Sequence, residues 1–276
     1  MDITEQEYNQ LTALIMDKSG LFFEPHKMYF IESRLKNRMA ITNCITVRDY
    51  IRLLTYDNKS AEIDAFIDEL TTNETYFYRE LPQLMSFVQG ALPFILEKKK
   101  AMGIRTLKIW SAACSIGCEP YSIAILLKEY MPDLDHWHVQ IIGTDISNSV
   151  LKRCREGVYF DRHLKDVPPL IKMKYFTKKG DNNWAVNQEI KHMVQFSHLN
   201  FVDKTKMRSM VGFDFIFCRN ALIYFCEQAS KQVVSMFYDS LSKDGFIFLG
   251  HSESVARLSA AFKVVKLKNS LVYQKH

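Results

Sequence analysis

The apolar residues of this 276-residue chain change their spacing once, near residue 105. Upstream of that point they recur about every three to four positions, the spacing of helices that bury one face. Downstream, short apolar runs alternate with helical stretches, the pattern of a parallel sheet wrapped by helices. The chain is therefore predicted to be an α/β protein in which a small all-helical domain precedes a Rossmann-like sheet domain.

Helix start signals mark the N-terminal part of the chain. Thr4 with Glu7 forms a capping-box pattern, and Thr46 with Asp49 gives a second start signal of the same kind. Each is followed by apolar residues at helical spacing, and no convincing strand pattern appears. The sequence predicts a helical domain over residues 1–70 and a connection of linker and lid helices over residues 71–105.

The sheet domain is predicted over residues 106–276. Residues 157–192 break its rhythm, because they are polar and aromatic with a strong turn at 180–183. They predict an inserted β-hairpin or three-stranded antiparallel flap between the second and third core strands. The core strands are predicted at Thr106–Ala112, Val139–Thr144, Phe213–Cys218 and Phe246–Gly250, with a closing antiparallel pair at Phe262–Val265 and Ser270–Tyr273.

Composition argues against several classes of protein. No apolar run approaches the roughly 18 residues of a membrane span, and the N-terminus lacks a secretory layout, so we expect a cytoplasmic protein without direct membrane insertion. The formal charge of +5 allows an acidic partner but is no nucleic-acid signature. The six cysteines lack a second Cys/His pair at ligand spacing, which predicts reduced thiols and no metal site.

The first segment with candidate chemistry runs from Lys108 to Ser122. It passes from an apolar strand through small residues to a helix start near Pro120. An open α/β sheet binds nucleotide-like cofactors at this place, beyond the carboxyl end of its first strand. The absence of G-x-G-x-x-G gives little support to a dinucleotide. A tight strand-to-helix turn without a ligand is the alternative.

The second predicted strand leads into Asp145 and Ser147. A carboxylate at that position can accept hydrogen bonds from both ribose hydroxyls of an adenosyl group, as an acidic residue does in dinucleotide folds. The competing interpretation is that Asp145 or Ser147 simply caps the following helix.

Two further segments place polar groups beside aromatic ones. The buried strand 213–218 ends on Arg219 and Asn220, ahead of an aromatic turn that contains Tyr224. Residues 71–80 mix amide, hydroxyl, aromatic and guanidinium groups, which suits either packing between domains or a lid over a cofactor with Arg79 pairing a carboxylate.

These segments, in this order, resemble the chemotaxis receptor methyltransferase (CheR) family. Members carry T-T-N-x-T-x-F-F-R-E, W-S-A-x-x-S-x-G-E-E-P-Y-S, an acidic T/S-D-I-D followed by G-V/I-Y, F-D-x-I-F-C-R-N-x-x-I-Y-F and a late G-H-S-E. The corresponding residues here are Thr71 to Glu80, Trp110 to Ser122, Thr144 to Ile146 with Gly157 to Tyr159, Phe213 to Phe225, and Gly250 to Glu253. The resemblance spans nearly the whole chain.

The resemblance implies a protein-glutamate O-methyltransferase that uses S-adenosylmethionine, with the cytoplasmic region of methyl-accepting chemotaxis receptors as its partner. It implies Arg79 and Tyr224 as the residues nearest the reacting methyl group. The cofactor contacts that it implies are Asn73, Thr75, Arg79, Glu119, Asp145, Asn200, Phe201, Asn220 and Ala221.

The segment that follows the first predicted core strand departs from the family pattern. Cys118 stands where members usually have the first of two glutamates, and Ile116 where they usually have threonine, whereas Glu119 is retained. This departure motivates an alternative function, a non-catalytic receptor-array or regulatory binding module that keeps the fold. A nucleic-acid methyltransferase is a further rival, but no Asn/Asp-Pro-Pro-Tyr segment follows a core strand.

The resemblance also implies surfaces for the receptor. Members use a helix of the N-terminal domain against the substrate, so a basic stretch there is predicted to dock it through Arg34, Lys36 and Arg38. The insertion is expected to contact the receptor as well. Some members grip a C-terminal receptor peptide with a longer glycine-containing loop than residues 178–183, so no strong tether binding is expected here.

Overall fold

The computed structural model describes residues 3–56, 61–253 and 259–276. The N-terminal part is all helical, as predicted. Its helices are α1 (Glu5–Ser19), α2 (Met28–Thr42), α3 (Val47–Tyr56) and α4 (Ala61–Leu70). The capping box at Thr4 forms, since the Thr4 Oγ1 accepts from the Glu7 N–H at 3.3 Å and the Glu7 carboxylate accepts from the Thr4 N–H at 3.0 Å.

The four helices share one apolar core. Leu11, Ile15, Ile31, Tyr50 and Phe66 have no exposed surface. The Tyr50 and Phe66 rings meet edge to face, with centroids 5.5 Å apart. Burial of this many large side chains makes the helical part a packed unit.

Three consecutive helical segments lead to the sheet: α5 (Leu81–Ser86), a π-helical turn (Phe87–Ala91) and α6 (Leu92–Ala101). They pack on the sheet, where the Phe87 ring lies 4.9 Å from Phe215 and 5.2 Å from Phe217. Residues 81–101 thus form part of the helical layer of the sheet domain, and residues 71–80 are the part of the connection that runs past the sheet edge.

A seven-stranded sheet forms the centre of the larger domain, in the order β6-β2-β1-β7-β8-β10-β9. The first five strands in this order are parallel, and β10 and β9 are antiparallel to their neighbours. The strands are β1 (Thr106–Ala112), β2 (His138–Asp145), β6 (Val194–His198), β7 (Phe213–Cys218), β8 (Leu241–Leu249), β9 (Phe262–Leu267) and β10 (Ser270–Lys275).

Helices cover this sheet: α7 (Cys118–Tyr130), α8 (Asn148–Glu156), α11 (Lys204–Ser209) and α12 (Glu227–Ser240). From β1 the chain adds strands on one side, and it then returns to β7 on the other side. That reversal opens a crevice beyond the carboxyl ends of β1 and β7. No helix of the described residues is long and apolar enough to cross a membrane.

The insertion is a separate three-stranded antiparallel sheet, which is one of the two forms that the sequence predicted. Its strands β3 (Val158–Phe160), β4 (Phe176–Lys178) and β5 (Asn183–Val186) pair in the order β3-β5-β4. Two helices that the sequence pattern did not indicate accompany it, α9 (Pro169–Tyr175) and α10 (Gln188–His192).

One core strand was missed by sequence reasoning. β6 pairs parallel with β2, with Val194 opposite Ile141. The core strand that directly follows the insertion is therefore β6. The prediction that Phe213–Cys218 is the next core strand after the insertion is wrong. β6 has five residues and lies at the sheet edge, where only Val194 is fully buried. A short edge strand of this kind lacks the continuous apolar run that marks a central strand.

Candidate functional site

All residues predicted to contact the cofactor or the reacting group line a single cleft at the carboxyl ends of β1, β2 and β7. These residues are Asn73, Thr75, Arg79, Glu119, Asp145, Asn200, Phe201, Asn220, Ala221 and Tyr224. The helical domain supplies part of the wall through Ser19, Leu21 and Phe23. The cleft therefore combines parts of the helical domain, the connecting segment and the sheet domain.

The loop between β1 and α7 has an unusual backbone. Ala113 and Ser115 have positive φ angles of 59° and 49°, a region that residues other than glycine rarely occupy. Gly117 has a φ of 88°, and a Cβ there would lie 3.0 Å from the Cys154 sulfur. Backbone strain of this kind persists only where the surroundings impose it, and it concentrates at ligand sites.

Asp145 holds this loop in place. Its Oδ2 accepts from the Ser115 N–H at 2.8 Å and its Oδ1 from the Ser147 N–H at 3.0 Å. Burial raises the pKa of Asp145, and the backbone donors Ser147 and Ser115 oppose that shift. The N-cap of α8 is Ser147, whose Oγ accepts from the Val150 N–H at 3.2 Å. Ser147 thus caps the helix, and Asp145 lies at the cleft.

A buried charge network forms the floor of the cleft around Arg219. Its Nη1 lies 3.1 Å from the Glu119 carboxylate, and its Nη2 lies 3.1 Å from the Glu80 carboxylate and donates to the Arg79 carbonyl at 2.6 Å. The Ser111 hydroxyl also donates to Glu119, at 2.7 Å. Burial raises the pKa of Glu119, and Arg219 acts against this rise.

Among the described side chains that line the cleft, two buried polar atoms have no hydrogen-bond partner, the Nε of Arg219 and the Oδ1 of Asn220. Both side chains line the cleft. Buried polar groups are satisfied in the great majority of cases, so these two exceptions mark this part of the cleft wall as a candidate functional surface. Sequence reasoning noted Arg219 but gave it no role, although the polar pair at a strand end was the signal that could have revealed it.

The segment 71–80 serves two purposes that sequence analysis treated as alternatives. Phe77 packs on the insertion, with its ring 4.8 Å from Tyr159 and 4.9 Å from Phe176. Asn73 lies beside the loop between β1 and α7, where its side-chain oxygen accepts a hydrogen bond from the Ser115 hydroxyl at 3.1 Å. The aromatic residues thus anchor the segment while its polar residues line the cleft.

Arg79 and Tyr224 lie at the mouth of the cleft. The Arg79 guanidinium is 5.8 Å from the centroid of the Tyr76 ring and donates to the Glu74 carbonyl at 2.9 Å. Tyr224 is 38% exposed. Its carbonyl accepts from the Phe22 N–H at 2.9 Å, which ties this loop to the helical domain.

Asn200 and Phe201 follow β6. Asn200 uses its side chain mainly within the protein: Nδ2 donates to the Lys18 carbonyl at 2.6 Å and Oδ1 accepts from the Val202 N–H at 3.1 Å. Phe201 packs against Trp110 and Phe237. Both residues line the cleft, and the Asn200 amide also joins the sheet domain to α1.

The predicted docking residues differ in their surroundings. Arg38 does not offer a free charge as the sequence analysis assumed, because its Nε and Nη2 donate to the Glu62 carboxylate at 3.0 and 2.6 Å. The Arg34 guanidinium stacks on Phe30, 3.9 Å from the ring centroid. Lys36 is exposed and pairs with Glu32 one turn away.

The cysteines near the loop between β1 and α7 are free thiols. Cys114 and Cys118 are buried, and burial raises the pKa of both well above that of an ordinary thiol. Neither Ile116 nor Cys118, the two departures from the family pattern, is among the residues that line the cleft. Among residues 3–56, 61–253 and 259–276, no three His, Cys, Asp or Glu side chains are grouped so as to hold a metal ion.

Comparison with known proteins agrees with this architecture. The family profile described as the all-alpha domain of CheR methyltransferase matches residues 6–71, and the profile described as its SAM-binding domain matches residues 73–271. Chemotaxis protein methyltransferase 2 of Vibrio cholerae is 36% identical over 99% of this chain and 94% of its own length. The chemotaxis protein methyltransferase of Borreliella burgdorferi is 35% identical over 92% of this chain and 90% of its own.

A third relative, the chemotaxis protein methyltransferase of Escherichia coli, is 31% identical over 98% of this chain and 91% of its own length. The two profiles together cover both parts of the fold described above, and the cleft takes its lining residues from the regions matched by both. The chain therefore belongs to the CheR family of methyltransferases and binds S-adenosylmethionine.

Proposed function

We propose that this protein transfers the methyl group of S-adenosylmethionine to glutamate side chains in the cytoplasmic region of chemotaxis receptors. The family and the names of the relatives support a chemotaxis substrate. The observation that supports the glutamate assignment is that Arg79 and the 38% exposed Tyr224 both line the cleft. Both groups donate hydrogen bonds and suit a carboxylate.

S-adenosylmethionine supplies an electrophilic methyl group on a positively charged sulfur. Asp145 lines the cleft and would accept hydrogen bonds from the ribose hydroxyls, and the half-buried Glu119 would offer its carboxylate to a cationic group of the cofactor. Arg219 and Asn220 also line this part of the cleft and add polar side chains to its wall. The residues present therefore fit the cofactor.

A glutamate substrate needs no general base. Its reference pKa of about 4.3 leaves it ionised at neutral pH, so the carboxylate oxygen is already a nucleophile. The protein must orient this oxygen toward the methyl group at about 3 to 3.5 Å and exclude water from the site. Arg79 is suited to holding the carboxylate in its charged form by ion pairing, and Tyr224 to fixing its direction by a hydrogen bond.

The non-catalytic module is the second candidate, motivated by Cys118, which begins α7 directly after the loop that follows β1. Cys118 is fully buried and outside the cleft lining, whereas Glu119 keeps its position in the cleft. The departure thus alters the packing beneath the loop and leaves its ligand-facing groups in place. This placement favours the catalytic function.

The test is to incubate the protein with methyl-labelled S-adenosylmethionine and receptor cytoplasmic fragments. The expected product is labelled receptor that releases methanol in alkali, the behaviour of a carboxyl methyl ester. A receptor fragment with glutamine in place of the accepting glutamates is the control and should remain unlabelled. Alkali-stable label would contradict the ester, and tight cofactor binding without labelling would favour the non-catalytic module.

A further inference from the structure

Glu253 lies just beyond β8, outside the residues that line the cleft, yet it is bonded to the backbone of the cleft. Its Oε2 accepts from the Asn220 N–H and the Gly250 N–H, each at 2.8 Å. Its Oε1 accepts from the Leu222 N–H at 2.7 Å. One carboxylate thus holds three backbone donors that come from the loops after two adjacent strands, β7 and β8.

The loop that Glu253 holds carries several cleft residues. Asn220 and Ala221 line the cleft, and Leu222–Tyr224 form a 3-10 turn that presents Tyr224 at the mouth. Asn220 has a positive φ of 58°, a conformation that costs free energy for a residue with a side chain. The Asn220 and Leu222 N–H groups, on either side of Ala221, donate charge-assisted hydrogen bonds to Glu253. These bonds offset that cost and fix the direction of the turn.

Gly250 completes this arrangement from the β8 side. A Cβ at Gly250 would lie 2.9 Å from the Glu253 carboxylate and 2.9 Å from the Asn220 nitrogen. The approach of the two loops therefore requires a residue without a side chain at position 250. The carboxylate, the glycine and the strained asparagine form one local unit.

We propose that Glu253 is a positioning residue that sets the 219–225 loop for cofactor binding and methyl transfer. Glu253 is not among the residues that line the cleft, and it acts through the backbone N–H groups of Asn220 and Leu222. The part of this inference that concerns turnover rests on the proposed function. The part that concerns cofactor affinity does not.

The test is Glu253→Gln, measured by calorimetry with S-adenosylhomocysteine and by receptor methylation. The amide keeps the size of the side chain but has one acceptor oxygen, so its NH₂ group must face at least one backbone N–H. The Kd for S-adenosylhomocysteine should rise about tenfold or more, the scale of a lost hydrogen bond to a charged group. In the proposed reaction kcat should fall as well, with a smaller change in the KM for receptor.

Two further variants separate positioning from general stability. Glu253→Asp keeps the carboxylate on a shorter stem, so it should restore part of the affinity and part of kcat. Glu227→Gln makes the same change on the exposed start of α12, where the carboxylate pairs with Lys231, and should behave as the parent.

The inference is overturned if Glu253→Gln lowers the melting temperature but leaves the Kd and kcat within twofold of the parent at a temperature where it is folded. If Glu253→Gln does not fold, Glu253→Asp decides in the same way. A parent protein that binds S-adenosylhomocysteine but methylates no receptor would contradict the proposed function alone, because the affinities of the variants would still test Glu253.

Discussion

Arg38 in α2 and Glu62 in α4 form a two-point ion pair, with the Nη2–Oε2 distance at 2.6 Å and both side chains largely buried. The Tyr50 hydroxyl donates to the same carboxylate at 2.7 Å. The Glu62 carboxylate therefore joins three helices of the N-terminal domain, α2 through Arg38, α3 through Tyr50 and its own helix α4. Removal of Arg38 would leave this largely buried carboxylate without its positively charged partner, which is costly in proteins.

We expect Arg38→Met to lower the free energy of unfolding by about 3 kcal/mol, the lower end of the range for breaking a buried pair. Urea titration monitored by circular dichroism checks this. Arg48→Met, on the exposed face of α3, is the control and should stay within about 0.5 kcal/mol of the parent. A loss below 1 kcal/mol for Arg38→Met would mean that the pair is solvated in solution.

Receptor docking is better tested at Arg34 and Lys36 than at Arg38. Reversal of both to Glu should raise the KM for receptor several-fold and leave the Kd for S-adenosylhomocysteine unchanged, because neither residue lines the cleft. The effect should shrink as salt shortens the Debye length from about 10 Å at 0.1 M. Unchanged KM and salt dependence would show that the receptor uses another surface.

Asp145→Ala should weaken S-adenosylmethionine binding by about 1.5 to 3 kcal/mol, since it removes a charged acceptor and frees the Ser115 N–H. Isothermal titration calorimetry measures the change. Asp17→Ala removes an exposed carboxylate on α1 and should bind as the parent does. Equal affinities for a folded Asp145→Ala and the parent would remove Asp145 from the proposed cofactor site.

Arg79→Ala should reduce kcat by roughly 100-fold, the scale for loss of a preorganised electrostatic contact, in a protein that still folds. Its guanidinium is at the cleft mouth and adds little to the core. Receptor methylation at saturating cofactor checks this, with the exposed Arg208→Ala as control. Turnover within a few-fold of the parent would contradict a role for Arg79 beside the reacting groups.

His163 lies within the insertion and is expected to make the stability of the protein depend on pH. Burial lowers its pKa to about 4, with Arg162 and Arg153 adding to the shift, so the folded protein holds it neutral. The unfolded chain, with a pKa of about 6.5, binds the proton more readily. Stability from this residue is complete above pH 6.5 and is lost as the pH falls from there toward 4.

We therefore expect the free energy of unfolding to fall by up to about 3 kcal/mol over this interval on account of His163. His163→Gln should flatten the slope between pH 6.5 and 4, as measured by urea titration at several pH values. His192→Gln, at the end of α10, is the control. If the slopes of His163→Gln and the parent agree, other groups account for the acid sensitivity.

Sequence patterns predicted the main architecture because the central strands are strongly apolar. β7 is buried along its whole length, and its predicted bounds agree with the structure. The sequence patterns failed for β6, because its edge position and short length weaken the apolar pattern that marks a strand. They also missed α9, whose seven residues bury only Tyr175 and so have no apolar stripe.

The cleft residues were identified through motif resemblance, and the structure brings them together from distant parts of the chain. What the sequence did not reveal is how their side chains are used. Spacing placed Arg34 and Arg38 on one helical face, but the partner Glu62 is 24 residues further along. Likewise, nothing in the local pattern indicates that Glu253 accepts from backbone groups of Asn220 and Leu222.

The bridge between Leu21 and Phe225 and the bond from Phe22 to the Tyr224 carbonyl are the backbone links of the helical domain to the loop after β7. If the receptor docks on α2 as proposed, a movement of the helical domain would be transmitted through these bonds to Tyr224. A truncated chain without the helical domain would lose these backbone bonds to Tyr224 and Phe225.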